Sequence, residues 1–245
     1  MLEVFNTLLY QPLFNILIFL YNIVPLHDLG ISIIILTLII RILISPLSIK
    51  SFKAQKVLSE LQPKIKEVQA KYKGNPQKQN EELMKLYKGS KTNPFSGCLP
   101  LLIQMPIFIA LFQILKGLEN PEQFSRLYSF VRNPGILNTT FLGIVDLAQE
   151  SKTLAIFAGL FQFIQSKMLS SWTGQPKNIS KKDQTVQMTQ LMTKQMTYFM
   201  PVFLVFIAWS LPAALPLYWI IITLFSIGEQ YYLNKISKSK EQRAK

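Results

Sequence analysis

A chain of 245 residues that is 49% hydrophobic and only 16% charged, yet carries a net charge of +13, excludes most soluble classes. Nucleic-acid binders share the basic balance, but they are more polar and lack apolar runs approaching the ~20 residues that cross a bilayer core of about 30 Å. The composition is that of an integral membrane protein, and a single cysteine, Cys98, excludes an intramolecular disulfide.

In chain order, residues 1–28 are read as an outer interfacial helix and loop. The apolar stretch Leu8–Val24 has neither the basic start nor the small-residue cleavage pattern of a secretion signal. Gln11, Pro12, Asn15 and Asn22 make it a poor span, so a helix lying in the interface is expected, with a sixth crossing as the alternative. Residues 29–49 form the first span. Residues 50–92 follow as a cytoplasmic helical hairpin: Leu58, Leu61, Ile65, Val68 and Tyr72 make one helical stripe, and Lys73–Pro76 is a turn with Pro76 opening the second arm. Leu83, Leu86 and Tyr87 give that arm an apolar side, and Pro63 bends the first. The pattern fits a self-packed coiled coil and a basic docking surface equally well.

The second span lies within residues 93–117, an extracytoplasmic loop covers 118–152, and the third span covers 153–169. A cytoplasmic loop at 170–195 leads to the fourth and fifth spans in 196–233, and a basic cytoplasmic tail occupies 234–245. The last two spans are joined by a tight turn at Pro212 and Pro216, and both are expected to be short enough to thin the bilayer. The fold class is thus an all-α integral membrane protein: a five-helix transmembrane core, a cytoplasmic helical hairpin and an outer in-plane amphipathic helix. Lysines concentrate in 50–92, in 170–195 and in the tail, whereas Glu3, Asp28, Glu119, Glu122, Asp146 and Glu150 outweigh the bases of the other segments. The positive-inside rule then puts the N-terminus outside and the C-terminus in the cytoplasm.

Arg41 is the anomaly. It lies nine residues before Lys50, roughly 14 Å of helix from the cytoplasmic boundary. A charge at that depth costs about 2.5–3.5 kcal/mol and faces protein or a water-filled cavity. Glu229 is the only carboxylate within the spans, near the end of the last one. A hydrated cavity open to the cytoplasm, holding Arg41 without a fixed partner, is favoured over an Arg41–Glu229 pair. Thr37, one turn from Arg41, is a further lining candidate, as are Gln104, Thr223 and Ser226, although each alone fits an ordinary interhelical hydrogen bond. Met188, Met192, Met196 and Met200 recur every four residues, a packing stripe or an adaptable apolar contact face. Chemistry is absent from the sequence: there is no HExxH, GxSxG or P-loop, and the one histidine, His27, falls in an outer loop. No enzyme, cofactor or metal is expected.

Three long motifs resemble the YidC/Oxa/Albino membrane-protein insertases: "LIIRILISPLSIKSFKAQKVLSELQPKIKEVQAKYKGN" (Leu38 to Asn75), "NPFSGCLPLLIQMPIFIALFQIL" (Asn93 to Leu115) and "FMPVFLVFIAWSLPAALPLYWI" (Phe199 to Ile220). The resemblance covers nearly the whole chain, and it is to the short bacterial form without a large extracytoplasmic domain. It implies a groove open to cytoplasm and lipid, with the family's groove arginine at Arg41, its glutamine at Gln104 and its aromatic at Trp219. Met105, Phe108, Met192 and Met196 are candidate substrate contacts. The implied function is an energy-independent insertase and chaperone in the cell inner membrane, acting on nascent membrane proteins within the lipid bilayer. Ribosomes, targeting factors and a Sec channel are further candidate partners. The rival readings are a small anion channel or transporter and a structural subunit of a larger translocation complex.

Overall fold

The computed structural model describes residues 2–90, 92, 93, 96, 99–118, 120–172 and 195–243. Helical structure begins with α1 (Leu2–Phe5), a π turn at Asn6–Tyr10 and α2 (Gln11–Ile23), which follow one another without a break. Next come α3 (Leu29–Glu60), α4 (Gln62–Lys71), α5 (Pro76–Gly89), α6 (Leu99–Gly117) and α7 (Lys152–Trp172). A π turn at Gln195–Phe199 leads into α8 (Met200–Ala208), and α9 (Ala214–Arg243) ends the described chain.

Two stretches are long and apolar enough to cross a membrane by length and composition, Glu3–Ile23 and Leu29–Glu60; Leu102–Gly117 and Thr197–Ala208 are shorter apolar helices. Both agree with a helical membrane protein. The chain is not purely helical: β1 (Thr140–Phe141) and β2 (Val145–Asp146) pair antiparallel in the loop after α6. Leu142 and Gly143 at its tip both take positive φ, 50° and 71°, the left-handed twist that tight hairpins favour.

α3 does not stop at Ile49. Its helix runs on unbroken for 32 residues to Glu60, with Pro46 inside it. The bend expected at Pro63 falls at Leu61, because Pro63 sits in the first turn of α4, where a missing N–H costs nothing. α4 and α5 fold back on each other, and Asn75 caps α5 by accepting from the Lys78 N–H at 3.0 Å, with Pro76 next to it. Residues 173–194, which contain Met188, Met192 and most of the 170–195 loop, lie outside the described residues.

The polar residues of the first helix bind the loop that follows α6. Asn15 donates to the Arg126 carbonyl at 3.2 Å and accepts from the Tyr128 N–H at 2.6 Å. Gln11 reaches the same carbonyl, Asn22 donates to the Arg132 carbonyl at 2.7 Å, and the Tyr21 hydroxyl accepts from the Asn138 N–H at 2.7 Å. Asp28 caps α3 through the Ile31 N–H and accepts from the Leu142 N–H. The same loop straps the turn between α8 and α9, where Ala213 and Ala214 donate to the carbonyls of Gln149 and Leu147.

The main apolar core sits under this loop. Phe14, Leu17 and Ile18 of α2, Leu29, Ile33 and Leu36 of α3, Ile114 of α6 and Leu215 of α9 are all buried in one cluster. Full burial of such side chains contributes about 1.5–3 kcal/mol each, so this cluster holds α2, α3, α6 and α9 together. A second, smaller cluster joins α7, α8 and α9 around Ala158, Leu204 and Ile220.

Candidate functional site

Below that core, the buried surface of α3 and α9 changes character. On α3 the buried face is apolar from Leu29 to Ile40 apart from Gly30, Ser32 and Thr37, and then reads Arg41, Ser48, Ser51 and Phe52. On α9 the buried positions after Ile220 are Thr223, Ser226 and Gln230, a polar stripe at helical spacing, followed by the apolar Leu233. α3 and α9 pack against each other, so two polar stripes meet in one seam.

Arg41 stands at the head of the seam, 8% exposed. Its guanidinium donates to the Ile222 carbonyl at 3.1 Å and to the Ser226 hydroxyl, and it lies 5.5 Å from the Phe225 ring centroid. The expectation of an arginine without a fixed partner is corrected here: α9 supplies neutral partners. The Arg41–Glu229 ion pair is not formed; Glu229 instead accepts from the Ser45 hydroxyl at 2.5 Å. Arg41 Nε, Ser48 Oγ, Glu229 Oε2 and both amide atoms of Gln230 are buried with no hydrogen-bond partner. Leaving one such group unpaired costs about 1–3 kcal/mol, and more for charged groups. Most buried polar groups are hydrogen-bonded, so these orphaned atoms call for an explanation.

The remaining predicted positions divide. The Gln104 amide donates to the hydroxyl of Tyr218, which is 1% exposed, and so ties α6 to α9. Trp219, next in sequence, lies 5.1 Å from the Phe108 ring, centroid to centroid. Gln104 and Trp219 thus belong to the α6–α9 contact, whereas Arg41, Thr223 and Ser226 belong to the α3–α9 seam. Tyr218 and Ser226 both belong to α9, so that helix is common to the two contacts. Thr37 is buried and donates to the Ile33 carbonyl of its own helix at 2.6 Å. Met105 is 46% exposed on the outer surface of α6. Met192 and the Met196 side chain lie outside the described residues.

Ser45, Ser48, Tyr218 and Gln230 were not anticipated. Ser45 and Ser48 follow Arg41 at helical steps, which was the available signal. Gln230 follows Glu229 directly and carries no charge or motif that marks it in the sequence.

The fold and the seam define a helical membrane protein with a buried, partly unsatisfied cationic site between two of its long helices. A family model described as "60Kd inner membrane protein" matches residues 19–241. The chain belongs to this family, the YidC/Oxa family of membrane proteins. A protein of Clostridium tetani named "Membrane protein insertase YidC" is 33% identical over 87% of this chain and 85% of its own length. One of the same name from Oceanobacillus iheyensis is 35% identical over 86% of this chain and 77% of its own length. Another, from Endomicrobium trichonymphae, is 36% identical over 91% of this chain, which spans only 38% of that relative.

Proposed function

We propose that this chain is a membrane-protein insertase working without covalent chemistry, and that the α3–α9 seam is the floor of its hydrated groove. In this reading α3, α6, α7, α8 and α9 are the five crossings, α1 and α2 lie along the outer surface, and α4 and α5 project into the cytoplasm. A nascent segment's hydrophilic flank enters from the cytoplasmic side. Its carboxylates exchange for the neutral partners of Arg41, and the seam's orphaned groups replace the hydration lost in transit. The apolar part of the segment passes along the surface of α6 that carries the exposed Met105 and leaves into lipid, with Phe108 and Trp219 packed together nearby on α6 and α9.

The single observation carrying this reading is the group of unsatisfied buried polar atoms beside Arg41. A purely structural buried arginine should be fully paired. The relatives' names support the substrate class, nascent membrane proteins. Ribosomes, targeting factors or a Sec channel would dock on the basic segments, which face the cytoplasm in this orientation.

The test is reconstitution of the purified chain in liposomes with a single-span substrate. An insertase integrates the substrate without making the vesicles permeable to ions. Ion flux without integration would establish a channel, and neither activity would leave only a scaffold.

A further inference from the structure

At the far end of α3, away from the closed core, a cleft of about 490 Å³ opens between that helix and the segment following α5. Lys50 and Lys53 line one wall; Lys88, Ser90 and Thr92 line the other, and no carboxylate is among the lining residues. None of the three lysines is ion-paired among the described residues; the described ion pairs of the hairpin belong to Lys85. The Thr92 hydroxyl is buried with no hydrogen-bond partner. The Ser51 hydroxyl ties the walls together by donating to the Ser96 carbonyl at 2.6 Å, and the Thr92 N–H holds its own wall to α5 by donating to the Tyr87 carbonyl at 3.1 Å.

Depth selects the ligand. Lys50 is about 32 Å along α3 from Leu29 at 1.5 Å per residue, just beyond a hydrocarbon core of about 30 Å. The side chains of Ile42 and Leu43 upstream are exposed, as lipid-facing residues are, and exposure passes to lysine at 50 and 53. A cationic, hydroxyl-bearing cleft at that level meets lipid phosphates. Single-stranded nucleic acid, by contrast, needs stacking aromatics as well as charge, and among the described residues no aromatic side chain lines this cleft.

We propose that this cleft binds the phosphate-bearing headgroup of an anionic phospholipid, with Lys50, Lys53 and Lys88 neutralising the charge and the hydroxyls of Ser90 and Thr92 donating to its oxygens. The bound lipid would pin the base of the helical hairpin to the membrane surface. The site goes beyond the insertase reading and needs only that α3 crosses the membrane with this end at the headgroups, so binding is measured apart from insertion.

The test uses the full chain in neutral detergent, supplied with phosphatidylglycerol or phosphatidylcholine, with retained lipid counted by native mass spectrometry. One phosphatidylglycerol per chain should be retained in preference to phosphatidylcholine. The triple variant Lys50→Gln/Lys53→Gln/Lys88→Gln should lose roughly a hundredfold in retention. Lys64→Gln/Lys66→Gln/Lys78→Gln, which removes the same charge from the hairpin arms, should retain the lipid. Thr92→Val, which keeps every charge, should weaken retention several-fold and serves if the triple variant misfolds. Equal loss in both triple variants, or no effect of Thr92→Val, would reduce the site to diffuse charge and overturn the proposal. Displacement of the lipid by millimolar inorganic phosphate, or by a short RNA, would overturn it in favour of a free-anion or nucleic-acid site.

Discussion

Arg41 holds its position through neutral partners, and that sets what its substitution should do. If its charge is what the groove uses, Arg41→Lys keeps the charge and Arg41→Ala removes it. A charged hydrogen bond contributes about 1.5–3 kcal/mol, so Arg41→Ala should reduce insertion of a substrate with an acidic flank by roughly ten- to a hundredfold. Arg41→Lys should stay within a few-fold of the parent in the same proteoliposome assay. Equal losses in the two variants would show that the guanidinium's geometry matters, not its charge. Asn15 tests the outer end. It is 2% exposed and bonded to the backbone at Arg126 and Tyr128, so Asn15→Leu should lower stability by about 1–3 kcal/mol, read as a lower melting temperature in detergent. An unchanged melting temperature would mean that the loop is held elsewhere. At this scale the sequence was only partly legible. Arg41 announced itself as a charge in an apolar run, but its partner Ile222 is a backbone carbonyl, and no residue type encodes that. Asn15 and Asn22 stand out as polar residues in an apolar run, yet what they bind lies more than a hundred residues away.

Among the elements, the close approach of α7 and α8 depends on Gly159. A Cβ there would meet the Val205 side chain and, at 3.1 Å, the Pro201 carbonyl. Gly159→Leu should therefore force the helices apart at a cost of about 1–3 kcal/mol, visible as a lower melting temperature, whereas Gly228→Ala, with open space at its Cβ, should leave it unchanged. α8 is 9 residues long and its preceding π turn 5, together about 21 Å at 1.5 Å per residue. The last span was also expected to be short; α9 has 30 residues and runs on past the expected end of that span at Leu233. The hairpin of α4 and α5 makes its contacts chiefly within itself and with the end of α3. Replacing residues 62–88 by a short linker should leave a monodisperse, membrane-inserted protein with sharply reduced insertion, because recruitment is lost. Unaltered insertion by the truncated chain would remove the hairpin from the mechanism. The turn at Lys73–Pro76 was readable because glycine and proline punctuate locally. The extension of α3 to Glu60 was not, because hydropathy marks where a membrane ends and not where a helix does.

For the whole molecule, the central claim is that one end is dry and sealed while the seam below it is wet and open to the cytoplasm. Burial and polarity separate the two regions along α3 itself, with Leu36 1% exposed within the apolar core and Ser48 2% exposed with its hydroxyl unpaired. That division was only half visible in the sequence. Hydropathy treats α3 as uniform, and the polar seam emerges only when the serines of one helix face Thr223, Ser226 and Gln230 of another. The most direct measurement is thiol accessibility in oriented vesicles, with Cys98 replaced by serine and single cysteines placed at Ser48, Gln104, Ser226 and Gln230, and at Leu36 as the sealed control. The groove account predicts that a membrane-impermeant reagent labels the first four from the cytoplasmic face, leaves them unlabelled from the outer face, and labels Leu36→Cys from neither. Absence of labelling from both faces would show a dry bundle, and labelling from both faces would show a pore; either result contradicts the account.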